Sequence, residues 1–135
     1  MTAKPDYASV TYGAGGSTRE KTLEIVDQIQ KEFSLTTMAH LTCIKHTRGE
    51  IDAILDEVKK RGIQNILALR GDPPPGEDWS HTEGGFEFAS ELVTHIRRHD
   101  DFGVAVAAFP EGHIDCIEGR EVDWQHLVRK IGCGA

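Results

Sequence analysis

The sequence lacks most of what would place a chain in a membrane, on a nucleic acid or in a secreted scaffold. No apolar run approaches the roughly 18 residues of a membrane-spanning helix. The first ten residues, Met1 to Val10, carry neither the basic nor the apolar region of a secretory signal. Positive charge is in deficit. Fifteen Lys plus Arg stand against 22 Asp plus Glu, giving a formal charge of −7, which argues against a phosphate backbone as the main partner. Cysteine is scarce: Cys43, Cys116 and Cys133 are odd in number and share no short spacing. That excludes a disulfide framework and a cysteine metal knuckle, and predicts reduced thiols in the cytoplasm. No HxxxH or HxH pairing accompanies His40 or His113, so no metal site is expected. GxGxxG is absent, as is a glycine loop leading into Lys-Ser/Thr, so no standard nucleotide fingerprint is available.

What is present is one unit written four times in 135 residues, 39% of them hydrophobic and 27% charged. Ala8 to Tyr12 is β-prone and runs into Gly13-Ala14-Gly15-Gly16; Ser17 or Thr18 then offers an N-cap for a helix to about Phe33. Leu23, Ile25, Val26 and Ile29 give that helix an apolar face. Thr36 to Cys43 reads as the second strand. Thr47 and Glu50 are spaced as a capping box for a helix over Ile51 to Arg61, with Gly62 just past its end. Ile63 to Leu69 is the third strand and Glu87 to His99 its helix; Phe102 to Phe109 is the fourth, followed by a helix over Glu121 to Ile131. Between the third strand and its helix lies a loop, Gly71 to Gly85, rich in proline, glycine and acid. Such alternation predicts right-handed βαβ units and a parallel sheet in one α/β domain, 1–135. Two architectures fit: about half of a (β/α)₈ TIM barrel, or a small open doubly wound sheet. A strand so near the start, and a helix ending where a fifth strand would begin, favour the partial barrel.

In either architecture ligands sit at the carboxyl ends of the strands. The sequence puts polar groups there four times: Thr11 and Tyr12, His40 and Thr42, Arg70 and Asp72, Glu111 and His113. An apolar strand ending in Arg-Gly-Asp is hard to account for by packing. The run Gly13 to Ser17 suits either an anion at a helix N-terminus or a tight turn. Cys43 reads as a small buried thiol, and Trp79 either covers a ligand or anchors its loop. His46, His81, His95 and His99 read as solvated surface or loop residues.

The runs SVTYGAGGSTREKT, MAHLTC, NILALRGDPP and VAVAAFPEGH, in this order and on these strands, resemble the methylenetetrahydrofolate reductase family from about Asp6 to Ala135. The resemblance implies strands two to five of a (β/α)₈ barrel holding FAD at the carboxyl end of its strands. It also implies reduction of 5,10-methylenetetrahydrofolate to 5-methyltetrahydrofolate, with NADH or NADPH reducing the flavin first. Carried over by position, Thr11, His40, Arg70 and Gly71 would line the flavin. Asp72 would be the catalytic aspartate beside the flavin, tuning its potential and helping to bind folate. Phe88 and Ala89 would touch the cofactor at a helix start, and His113 matches the family's PEGH histidine. Phe109 stands where many members carry tyrosine. Asp123, His126, Arg129 and Lys130 would face the phosphates and the adenosine end of FAD.

Two departures limit the transfer. After His113 the family continues Pro-Glu-Ala, whereas this chain has Ile114-Asp115-Cys116. The family's FEFFPP-like strand with its general-acid glutamate, and its later strand with a glutamine for folate and nicotinamide, have no counterpart in the sequence. The expectation is therefore a partial chain of the enzyme, cytoplasmic, forming a homo-oligomer or pairing with the missing half of the barrel. One alternative is a non-catalytic half barrel that keeps flavin or nucleotide affinity and needs a partner chain. Another is a complete small flavodoxin-like domain with a signalling or carrier role.

Overall fold

The computed structural model describes residues 4–11, 19–73 and 76–135. Tyr12 and the expected anion turn over Gly13 to Ser17 lie outside the described residues, as do both candidate caps, Ser17 and Thr18. The described elements alternate without exception: β1 (Tyr7–Val10), α1 (Arg19–Phe33), β2 (Thr36–Thr42), α2 (Arg48–Lys60), β3 (Asn65–Leu69), α3 (Ala89–His99), β4 (Gly103–Val106) and α4 (Arg120–Gly132).

The strands are all parallel and lie in the order β1-β2-β3-β4. That order decides between the two architectures. A doubly wound sheet reverses direction at a switch point and so covers both faces with helices. A strand sequence that only advances, through right-handed crossovers, puts every helix on one face, as in a (β/α)₈ barrel. The doubly wound alternative is therefore overturned, and the chain forms part of a barrel wall.

Register shows which face is which. Ala39 pairs with Ile66 and Ile66 with Val104; Leu41 pairs with Ala68 and Ala68 with Val106. These side chains point to the helices and join a core with Leu23 and Val26 of α1, Ile51, Ile54, Leu55 and Val58 of α2, and Leu92, Val93 and Ile96 of α3. The opposite face carries Met38, His40 and Thr42 beside Leu67 and Leu69, all only half-buried. Asn65 explains one glycine. It lies opposite Gly103, where a Cβ would come within 2.5 Å of the Asn65 Oδ1.

Local signals account for the element ends. The Thr47 hydroxyl accepts from the Glu50 amide, and the Glu50 carboxylate accepts from the Thr47 amide, which is the capping box expected from the sequence. Gly62 takes φ +70° directly after α2, as expected of a residue ending a helix. Helix α3 starts at Ala89, two residues later than expected, because the Glu91 carboxylate accepts the amides of Glu87 and Phe88. The fourth strand stops at Val106 instead of reaching Phe109: its ladder with β3 ends at the Ala68–Val106 pair. Phe109 consequently lies on the loop that follows.

Three histidines depart from the solvated reading. His46 is buried, because the loop after β2 lies against the end of the long loop, where Thr47 bridges Gly85 and the Arg48 amide donates to the Gly84 carbonyl. His95 and His99 lie half-buried between α2 and α3. His95 Nε2 is 2.6 Å from Asp52, and His99 Nε2 is 3.0 Å from Asp56. Only His81 is exposed as expected. Among the described residues no helix is long and apolar enough to cross a membrane.

Candidate functional site

The carboxyl end of β3 is held with unusual care. The β2–β3 ladder runs past the strands themselves. The Cys43 amide donates to the Leu69 carbonyl at 3.1 Å and the Ile44 amide to the Arg70 carbonyl at 3.0 Å. The Cys43 thiol adds a bond to the same Arg70 carbonyl at 3.3 Å. Cys43 is buried, as expected, and burial pushes its thiol up to about 11, so it stays protonated and donates. Gly71 then turns at φ +86°, with its α-carbon packed so closely on β2 that a Cβ would lie 2.5 Å from Ile44 Cγ2 and 2.9 Å from Thr42 Cβ. Only glycine satisfies both demands. Arg70 and Asp72 are thereby presented on either side of a fixed turn.

These residues open onto a cavity of about 430 Å³, within the size range of small-molecule sites. Its walls come from the end of β3, the start of α3, the loop after β4 and one side of α4. Every residue expected at the cofactor from the resemblance lines it, except Thr11 and His40. Arg70, Gly71 and Asp72 come from the β3 turn, and Phe88 and Ala89 from the α3 start. Phe109 and His113 come from the β4 loop; Asp123, His126, Arg129 and Lys130 come from α4. The cavity also gathers Ser90, Asp115, Cys116 and Glu118, which the sequence reading did not single out for a site.

Hydrogen bonds order this wall. The Asp123 carboxylate in the first turn of α4 accepts the His113 amide at 3.1 Å. The His113 ring packs edge-on to Phe109, with centroids 4.5 Å apart. Its Nδ1 accepts the Asp115 amide at 3.1 Å, which leaves the ring proton of a neutral imidazole on Nε2. Lys130 Nζ donates to the Ala107 carbonyl at 2.7 Å, and burial pulls its pKa down against the opposing pull of Asp123. Arg70 has two partners. Its guanidinium lies 5.9 Å from the Trp79 ring centroid and 3.3 Å from Asp115. Trp79, from the long loop, thus lies over the strand-end arginine.

His40 stands apart from the cavity, on the open face of the sheet next to Leu67. Its Nε2 is buried without a hydrogen-bond partner among the described residues, and burial lowers its pKa. A buried ring nitrogen left unpaired costs free energy, about 1–3 kcal/mol by mutational measures, so this nitrogen has an unmet capacity for a bound polar group. Thr11 lies in continuation of β1 and is exposed; its carbonyl accepts the Thr22 hydroxyl. Among the described residues no group of three or more His, Cys, Asp or Glu is placed to hold a metal ion.

The family model of methylenetetrahydrofolate reductase matches residues 1–135. The chain belongs to the methylenetetrahydrofolate reductase family. It is 45% identical to methylenetetrahydrofolate reductase (NADH) 1 of Zea mays over 97% of its own length and 24% of the maize protein. It is 46% identical to methylenetetrahydrofolate reductase 1 of Schizosaccharomyces pombe, covering 98% of this chain and 22% of the yeast protein. Against 5,10-methylenetetrahydrofolate reductase of Escherichia coli the identity is 39%, over 98% of this chain and 43% of the bacterial protein. The chain thus spans about a quarter of the plant and yeast relatives and under half of the bacterial one. For a methylenetetrahydrofolate reductase relative, the advancing strand order and the site at the carboxyl end of β3 are the parts of the barrel that this sequence builds.

Proposed function

We propose that this chain serves the FAD-dependent reduction of 5,10-methylenetetrahydrofolate to 5-methyltetrahydrofolate, with NADH or NADPH as electron donor. One observation supports this most: a single cavity at the carboxyl end of β3 brings together the cations Arg70, Arg129 and Lys130, the aromatic rings Phe88 and Phe109, and the carboxylate Asp72. Those residue types suit a dinucleotide flavin. Cations serve the diphosphate, apolar rings the ring system, and an anion tunes it. When bound, FAD would supply the hydride chemistry between nicotinamide and folate. The His40 nitrogen, unpaired among the described residues, and the strand-end position of Thr11 suit further polar contacts from the open face of the sheet.

The role assigned to Asp72 is electrostatic. It is exposed at the cavity mouth, and a carboxylate there disfavours an anionic reduced flavin, which strengthens hydride donation. No residue of this chain is assigned the proton that opens the five-membered ring of the folate. The proposal places that step, which needs a general acid, on other parts of the family's longer proteins. Cytoplasmic location, and homo-oligomerisation or pairing with further βα units, belong to the same reading.

The test is spectroscopic. The purified chain, incubated with FAD and freed of excess, should retain a flavin absorbance at micromolar protein; a colourless chain would overturn the flavin reading. If flavin is retained, Asp72→Asn should raise its midpoint potential, and an unchanged potential removes the tuning role. A second reading, a binding half barrel without turnover, is favoured by the half-exposed apolar face around Leu67 and Leu69. Sedimentation tests the half barrel that both readings share: self-association or pairing through that face supports it, and a cooperatively melting monomer opposes it.

A further inference from the structure

The loop after β4 carries the run Ile114-Asp115-Cys116, and its acid reaches into the site. Asp115 Oδ2 lies 3.3 Å from Arg70 Nη2, joining residues 45 positions apart in the sequence. Arg70 is also the residue under Trp79. One guanidinium in the cavity wall is therefore engaged both by the loop after β3 and by the loop after β4. The contact with Asp115 is exposed, the two side chains being 35% and 61% accessible. A pair of that kind is worth little and exchanges readily. The backbone on both sides is fixed independently of the pair. The Arg70 carbonyl is held by Cys43 and Ile44, and the loop by the bonds of His113 to Asp123 and to the Asp115 amide.

We propose that Asp115 is a displaceable counter-anion for Arg70, which an oxyanion group of the ligand must replace on binding. The aspartate holds the arginine side chain over the cavity in the ligand-free chain and sets an electrostatic toll on anionic ligands. This inference rests on the reading of the cavity as a nucleotide site and adds a selectivity residue to it. Its consequence runs opposite to that of an ordinary lining residue: removing the charge of Asp115 tightens the binding of anions and leaves uncharged ligands alone.

The experiment is a titration of the full chain with FAD and with riboflavin, followed by flavin fluorescence, for wild type and Asp115→Asn. Asp115→Asn should bind FAD roughly two- to fivefold more tightly, the range expected of an exposed ion pair. Riboflavin should be unaffected, and the FAD gain should shrink as added salt screens the pair. In an Arg70→Gln background the same substitution should have no effect on FAD. Equal or weaker FAD binding by Asp115→Asn overturns the proposal, as does equal tightening for riboflavin or a gain that persists without Arg70. A chain that binds no flavin overturns the flavin reading instead. The proposal is then tested with inorganic diphosphate by calorimetry, where Asp115→Asn must again bind more tightly than wild type, and equal or weaker binding overturns it.

Discussion

Helices α3 and α4 each follow a short parallel strand, yet they are packed quite differently. Helix α3 buries Leu92, Val93 and Ile96 completely, between the two strands it spans and against α2. Helix α4 buries none of its residues; Trp124 is 42% accessible, Ile131 55% and Val128 68%. Polar bonds tie it and the residues after it to the rest: Lys130 donates to the Ala107 carbonyl, and Arg97 Nε to the carbonyl of Gly134, just past the helix, at 2.7 Å. The cavity lies where these two regimes meet, with one wall from the start of α3 and another from α4. A site built this way has a rigid side that fixes Arg70 and Asp72 and a softer side that supplies His126, Arg129 and Lys130. Regions with few buried apolar contacts open at lower free energy than the core, so ligand should order the α4 side more than the β3 side.

The comparison is broken most directly from the dense side. Leu92→Ala removes a fully buried side chain from α3 and should cost about 2–5 kcal/mol of stability, read as a lowered denaturation midpoint in urea. If the loss is no larger than that of a surface substitution, α3 is not the packed element described. Gly71→Ala is the next largest. The backbone conformation alone costs about 1–3 kcal/mol for a side-chain-bearing residue, and the added methyl collides with Ile44 and Thr42. Both stability and flavin retention should fall. Unchanged retention would mean that the turn does not position Arg70.

The parts of this arrangement that were legible in the sequence are those fixed by neighbours. Thr47 and Glu50 announced a capping box because both partners lie within one turn, and the structure makes both bonds. Arg70 and Asp72 stood out as polar residues ending an apolar strand. The advancing strand order was only one of two options, because handed crossovers permit either, and propensity does not say on which side a new strand joins. The pair Arg70–Asp115 was illegible, since 45 residues separate the two and nothing local links them. His95 and His99 carried a readable signal, a four-residue spacing matched by Asp52 and Asp56 on α2. That these two faces meet depends on the rotation of both helices about their axes, which the spacing alone does not set.

His40 sharpens the contrast by pH. Its folded pKa lies below the ordinary value of 6.5 because partial burial of the ring disfavours its charged form. The unfolded chain therefore binds the proton more readily, and the neutral ring's contribution to stability is complete above about 6.5 and is lost as pH falls below it. Melting curves from pH 7.5 downward should show a stability loss that is smaller in His40→Gln. A variant with the same acid sensitivity as wild type would assign the loss to other groups. With flavin bound, the sensitivity should change if Nε2 acquires a partner.

The smallest effect is expected at the most exposed apolar position of α4. Val128→Ser replaces a side chain that is 68% accessible, so almost no buried area is lost, and substitutions of this kind usually stay within about 0.5 kcal/mol. Helix propensity does not offset this, because serine and valine rank close together. The same exchange at Val93 of α3, fully buried, should cost several times more, since it both removes packing and buries a hydroxyl. The ratio of the two losses is thus a direct measure of how unequal the two helices are. A large loss at Val128 in the isolated chain, dependent on protein concentration, would mean that this face is covered in solution by another copy. A loss independent of concentration would instead place Val128 in the core of the monomer and erase the contrast between α3 and α4.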